Sequence, residues 1–210
     1  MAAISVLLAV ALASQPAAPA PAAATPAGNC ELHVWPGEGL TSIFYGLLHG
    51  GIVNGAQQGR RGYPRLPPNA MSTAIQLELL AEAQPQQLLN LPGHRLIVHE
   101  QALPSRTIRT EMGRIGASSS PCYAELMVDD VFLQQDWVSG AKLRVLYRFR
   151  DFGADLWQRG SFTTWAETDL ETFPPRNDAD LPAALTELRA AYRRTLMVFA
   201  DQLRRPRRRH

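Results

Sequence analysis

At 210 residues and 46% hydrophobic content, the chain is long and apolar enough to bury one globular core, which excludes an intrinsically disordered protein. Its formal net charge of +2 is too small to imply nucleic-acid binding, and no basic-aromatic motif of a nucleic-acid module stands out, so no nucleic-acid partner is expected. Nearly all the cations are arginine, with Lys142 the only lysine.

Residues 1–13 read as an export signal. Ile4 to Leu12 form an apolar run of the right length, and Ala11-Leu12-Ala13 supplies the small residues a signal peptidase accepts, although no lysine or arginine precedes the run. The run is too short to cross a bilayer, so no transmembrane span is expected in the mature chain. Residues 14–29 are an alanine-proline linker, residues 30–203 a single globular domain, and residues 204–210 an arginine-rich tail. Cys30 and Cys122 are the only cysteines, an even pair that an oxidising compartment would join. Closing a loop of roughly 90 residues stabilises a fold by about 4 kcal/mol in the chain-entropy model.

After Cys30, the alternation from Glu31 to Trp35 predicts a strand stopped by Pro36. Gly37-Glu38-Gly39 lacks the rest of a nucleotide fingerprint and reads as an ordinary turn into a helix. Gly46 and Gly50, then Gly51, Gly55 and Gly59, recur at every fourth residue among apolar side chains. That spacing resembles the glycine-zipper segments of some envelope proteins, and implies either close packing with self-association or a set of turns. His49, Asn54, Gln57 and Gln58 argue against a membrane span there.

Prolines make residues 60–69 an irregular connector, and Asn69 or Ser72 can cap a helix running to Ala83. A short helical turn follows near residues 86–91, then a strand over residues 94–100 with Leu96 and Val98 inward. Thr107 to Thr110 reads as extended, and residues 113–120 as a flexible loop.

Residues 122–150 predict one long β-hairpin, because Ala124, Leu126, Val128 and Phe132, then Leu143, Val145, Tyr147 and Phe149, fall on alternate positions. A two-residue reversal at Ser139-Gly140 would set Phe132 opposite Tyr147 and Asp129 opposite Arg150. The outer row carries Lys142, Arg144, Arg148 and Arg150, either an anion-docking surface or a solvated face balanced by Glu125 and Asp129. Residues 161–173 form a further strand ended by Pro174-Pro175. Leu181, Leu185, Leu188, Tyr192, Leu196, Phe199 and Leu203 then mark an amphipathic helix capped by Asp178 or Asp180.

The expected fold is α+β: an antiparallel sheet of about five strands with helices packed on one face, the C-terminal amphipathic helix being the main cover. The order resembles, in outline, small envelope domains of Gram-negative bacteria. No catalytic residue, metal site or cofactor is assigned. His33, His94 and His99, with Glu100, are the one candidate acid-base cluster, yet His94 and His99 point to opposite faces of a regular strand. Ser118 to Ser120 lack a nucleophile elbow. Arg106 and Arg109 are candidate anion binders, and Arg207, Arg208 and Arg209 either touch an anionic surface or form a solvated end. The sequence thus predicts a non-catalytic, exported periplasmic protein of the bacterial cell envelope, binding an envelope protein or an anionic surface. The alternative is a small secreted hydrolase or ligand-binding domain with its site near residues 106–120.

Overall fold

A computed structural model describes residues 30–45, 66–136, 140–156 and 158–205. The export segment, the zipper glycines Gly46, Gly50, Gly51, Gly55 and Gly59, and the tail arginines Arg207, Arg208 and Arg209 lie outside the described residues.

Six strands form one sheet: β1 (Cys30–Trp35), β2 (Thr41–Tyr45), β3 (His94–Val98), β4 (Cys122–Asp136), β5 (Gly140–Gly153) and β6 (Gly160–Leu170). Their order is β3-β1-β4-β5-β6, with β2 also on β4. The sheet is mixed, which corrects the antiparallel expectation: β1 is parallel to both β3 and β4, and β2 is parallel to β4. Among the described strands, β4-β5 and β5-β6 are the antiparallel pairs. The parallel part follows from connectivity, since β1 reaches β3 through helices rather than a tight turn.

The long hairpin is present, with a different register. β4 resumes as β5 with Asp136 opposite Gly140, a reversal earlier than Ser139-Gly140, and a β-bulge lies between Val128 and Asp130. Gly140 takes a φ of 80°, which a side chain would strain. The bulge inserts one residue, Asp129, and so changes which side chains face inward. Before it, Leu126 and Val128 lie opposite Phe149 and Tyr147; after it, Val131 and Leu133 lie opposite Val145 and Leu143. Phe132 therefore leaves the expected core row and sits half-buried beside Trp165 on the other face, ring centroids 5.5 Å apart. Glu125, not Asp129, faces Arg150.

One face carries the main core under α1 (Thr73–Ala83), α2 (Pro85–Leu88) and α4 (Leu181–Arg204). Ser72 caps α1 through its side chain. Asp180 does not cap α4 with its side chain; Asn177 instead accepts from the Asp180 N–H in a short 3-10 turn, and Pro182 occupies the first turn of the helix. Leu188, Tyr192, Leu196 and Phe199 of α4 are buried, and Phe199 packs on Tyr147 and Phe162. The opposite face is not bare. α3 (Ser105–Thr110) is helical, which corrects the extended reading of Thr107 to Thr110, and it closes a second small core of Trp35, Ile108 and Met127. On β3, Leu96 is partly buried as expected, whereas Val98 is 36% exposed.

β1 and β2 occupy successive stretches beside β4, broken where Pro36 cannot donate to a ladder. A glycine-to-strand turn thus stands where a helix was expected after Gly39. Fully buried Gln76 holds the break: its Oε1 accepts from Gly37 N–H at 2.9 Å and from Tyr192 Oη at 3.2 Å, and its amide donates to the carbonyls of Glu38 and Met71. Replacing Gln76 by Leu strands several buried polar groups, so urea denaturation should show a loss of about 3 kcal/mol. Glu78→Leu, on the exposed side of the same helix, should stay within about 0.5 kcal/mol of the parent.

Candidate functional site

The chemically richest part of the molecule is the face of β1, β4 and β5 covered by the segment from His99 to Pro121. Alternation along β1 puts Glu31, His33 and Trp35 on this face, beside Tyr123, Glu125 and Met127 in the parallel register. β5 adds Arg150 opposite Glu125.

Glu125 is fully enclosed and its carboxylate gathers four donors. Tyr123 Oη and the Ile115 N–H each donate to Oε1 at 2.7 Å, while Arg150 donates to Oε2 through Nε at 2.8 Å and through Nη2. Arg150 also donates through Nη1 to the Glu111 carbonyl at 2.5 Å, and the Gly116 N–H donates to Tyr123 Oη at 2.9 Å. Burial and the neighbouring Glu125 charge raise the Tyr123 pKa, so the phenol stays protonated and donating. A Cβ on Gly116 would meet Tyr123 Oη at 2.6 Å, so only glycine lets the cover approach this closely.

A second chain runs Ser118–Glu31–His33–His99. Ser118 Oγ donates to Glu31 Oε2 at 2.5 Å, His33 Nε2 lies 3.1 Å from the same oxygen, and His33 Nδ1 lies 2.8 Å from His99 Nε2. Arg95 adds an ion pair to Glu31 at 2.6 Å. His99 is anchored by its N–H to the Val34 carbonyl and stacks on Trp35 at 4.1 Å. The Ser118 hydrogen bond, followed by those of Arg95 and His33, lowers the Glu31 pKa to about 2. Burial, reinforced by His33, lowers that of His99.

Of the three histidines singled out in the sequence, His33 and His99 are brought together, while His94 sits opposite Cys30 at the other end of β3. Glu100 is exposed, and among the described residues no group of three histidine, cysteine or acidic side chains is placed to hold a metal ion. Ser118 is bonded to a carboxylate kept ionised, not to a histidine base, and His33 is 3% exposed. The chain of groups has the form of a clasp between strand and cover.

The cations of β5, Lys142, Arg144, Arg148 and Arg150, each stand beside an acid. Arg150 is 2% exposed against Glu125, so it does not stand on the surface. Arg144 meets Glu167 at 2.7 Å and lies over the Trp165 ring; Lys142 meets Asp169 at 3.4 Å. Buried Asp129, the bulge residue, accepts from Ser105 Oγ and lies 3.6 Å from Arg148 and 3.7 Å from Arg109. Arg109 also donates to Ser105 Oγ at 2.7 Å, whereas Arg106 is exposed. A concavity of about 800 Å³ opens at the other end of the hairpin among Leu66, Leu170, Phe173, Pro174, Arg176 and Asp178.

Sequence reasoning did not find the Glu125–Arg150 pair or its cover. A signal was present: from Tyr123 to Val128 both alternating rows are apolar apart from Glu125, the pattern of a strand buried on both faces.

No protein-family model matches the chain, and neither does any curated protein. A solved structure titled "Crystal structure of uncharacterized protein" is similar at 12% identity and a TM-score of 0.37, over 85% of this chain and 94% of that one. That likeness is too weak to bear on fold or function.

Two outcomes follow from the cluster. Arg150→Met removes one partner of an enclosed pair and should cost about 3–5 kcal/mol by denaturant titration. Because the folded state disfavours a charged His99, the unfolded chain binds more protons just below the ordinary value of 6.5. Stability should therefore fall as pH drops below that value, and again between 4.5 and about 2 as Glu31 is protonated. In His99→Gln the upper step should shrink while the lower one persists.

Proposed function

We propose that the protein is a non-catalytic, exported protein of the bacterial cell envelope that binds another envelope component. The observation that carries the reading is the Cys30–Cys122 disulfide, whose sulfurs are bonded across directly paired residues of β1 and β4, 92 positions apart in sequence. Such bridges persist in oxidising compartments and are rare in a reducing cytosol. The apolar run at residues 4–12 supplies the matching address. These two features taken together support periplasmic residence.

Binding is favoured over catalysis because the acid-base groups gathered by the fold are committed to one another. A hydrolase site near residues 106–120 would need a reactive group open to substrate. Beneath that segment His33 and Glu125 are enclosed, and Ser118 is tied to Glu31. Recognition of an envelope partner then falls to surfaces outside this cluster.

The reading is tested by expressing the chain with its own N-terminus in a Gram-negative host and fractionating the cells. The protein should appear in the periplasmic fraction, shortened by about 13 residues and without titratable thiols. Cytoplasmic retention with two free thiols would overturn the reading. Joint replacement of Cys30 and Cys122 by Ala should lower stability by about 4 kcal/mol.

A further inference from the structure

We propose that the outward stripe from Arg189 of α4 to Arg205 at its end is a docking surface for an anionic lipid bilayer. This rests on the envelope reading and names its partner. Between Arg189 and Arg205 the helix carries five arginines and one acid, Asp201. Arg193 pairs with Glu82 of α1 at 2.8 Å, and Arg204 pairs with Asp201; both are exposed pairs that contribute little and exchange readily with other anions. Arg189, Arg194 and Arg205 are exposed, and their side chains make no hydrogen bond or ion pair among the described residues.

The angular arrangement is specific. At about 3.6 residues per turn, Arg189, Arg193 and Arg204 fall along one flank, and Arg194 and Arg205 along the other. Met197, 54% exposed, lies between them. A straight stripe about 24 Å long results, with cations on both sides of an apolar line. The inward side of the helix is committed, since Leu188, Tyr192, Leu196 and Phe199 are each at most 1% exposed. The helix therefore cannot roll over and insert; contact is peripheral, made by arginine and weakened by salt.

A protein partner would find little to grip on this stripe. Protein interfaces are anchored by large side chains entering pockets, and Met197 stands alone here. A lipid headgroup layer requires no shape match, only a plane of negative charge to which each arginine adds.

The test is co-sedimentation of the full mature chain with vesicles of phosphatidylcholine, or of phosphatidylcholine mixed with phosphatidylglycerol, at low and high salt. Binding is expected only with the anionic vesicles, weakened by salt and reduced at least about ten-fold in the combined Arg189→Glu, Arg194→Glu, Arg205→Glu variant. Arg176→Glu, away from the helix, should bind as the parent does. Equal binding to both vesicle types overturns the proposal. So does loss of binding on changing Arg207, Arg208 and Arg209 to Gln while the helix variant binds normally, since the tail would then be the docking element. Absence of lipid binding by a protein found in the periplasm removes this proposal and leaves the envelope reading standing; cytoplasmic retention removes both.

Discussion

A carboxylate and a guanidinium shut between the sheet and the loop above it set the architecture of this chain. Enclosing either charge alone costs several kcal/mol, so Glu125 and Arg150 must meet, and the remaining oxygen of Glu125 must be supplied with donors. The sheet gives Arg150 and Tyr123; the third partner, the Ile115 N–H, comes from the cover. Through Nη1 the guanidinium returns a bond to the Glu111 carbonyl. A stretch with one short helix is thereby held in one place by its backbone polar groups, and its apolar side chains Leu103, Ile108 and Ile115 then close over Trp35 and Met127. Packing and charge satisfaction depend on each other, which is why this face has an ordered lid without a long helix.

That pairing exists because of a single extra residue. The sequence alternation correctly placed both strands of the hairpin and the C-terminal helix that covers them, since long periodic segments carry their own signal. It could not place Asp129. A bulge leaves the strand's composition unchanged while moving Val131 and Leu133 inward and Phe132 outward, and it slides Glu125 opposite Arg150. The same limit explains the sheet's mixed character: strand direction across a long connection is a tertiary property, and nothing local to residues 30–35 or 94–98 records that β1 lies between two parallel neighbours. Thr107 to Thr110 carries no helical signature because Ser105 to Thr110 has too few residues for a helical period, whereas Ile108 packed with Trp35 settles the helix once the fold is formed. Ser72 as a cap and Pro36 as a strand stop were legible because each acts through its own backbone.

On the other face, Gln76 does for the main core what Glu125 does for the cover. An amide buried there is costly unless its donors and acceptor are matched, and the broken strand between β1 and β2 supplies the backbone groups that match it. Gly37 is required at that point, since a Cβ would meet Val128 Cγ1 at 2.9 Å beside the bulge. The disulfide adds a constraint of another kind. It joins strands that the register already places side by side, so its effect falls on the unfolded chain. Between its two cysteines lie β2, β3 and three helices, the part of the molecule whose order depends most on distant pairing.

The distribution of arginine separates structural cations from available ones. Arg109, Arg144, Arg148 and Arg150 stand beside carboxylates of the sheet, where planar guanidinium groups suit close pairing, and altering them disturbs the fold before it disturbs any surface. Arg189, Arg194 and Arg205 stabilise nothing visible in the folded domain. They are exposed to water, so their charge can meet an external anion without first leaving an internal partner. A docking surface assembled from such residues would be decoupled from stability, and the α4 helix that carries them is fixed by its buried side to the main core. Rigid support below and unspent charge above is the arrangement that lets a binding surface vary while the domain beneath it stays folded.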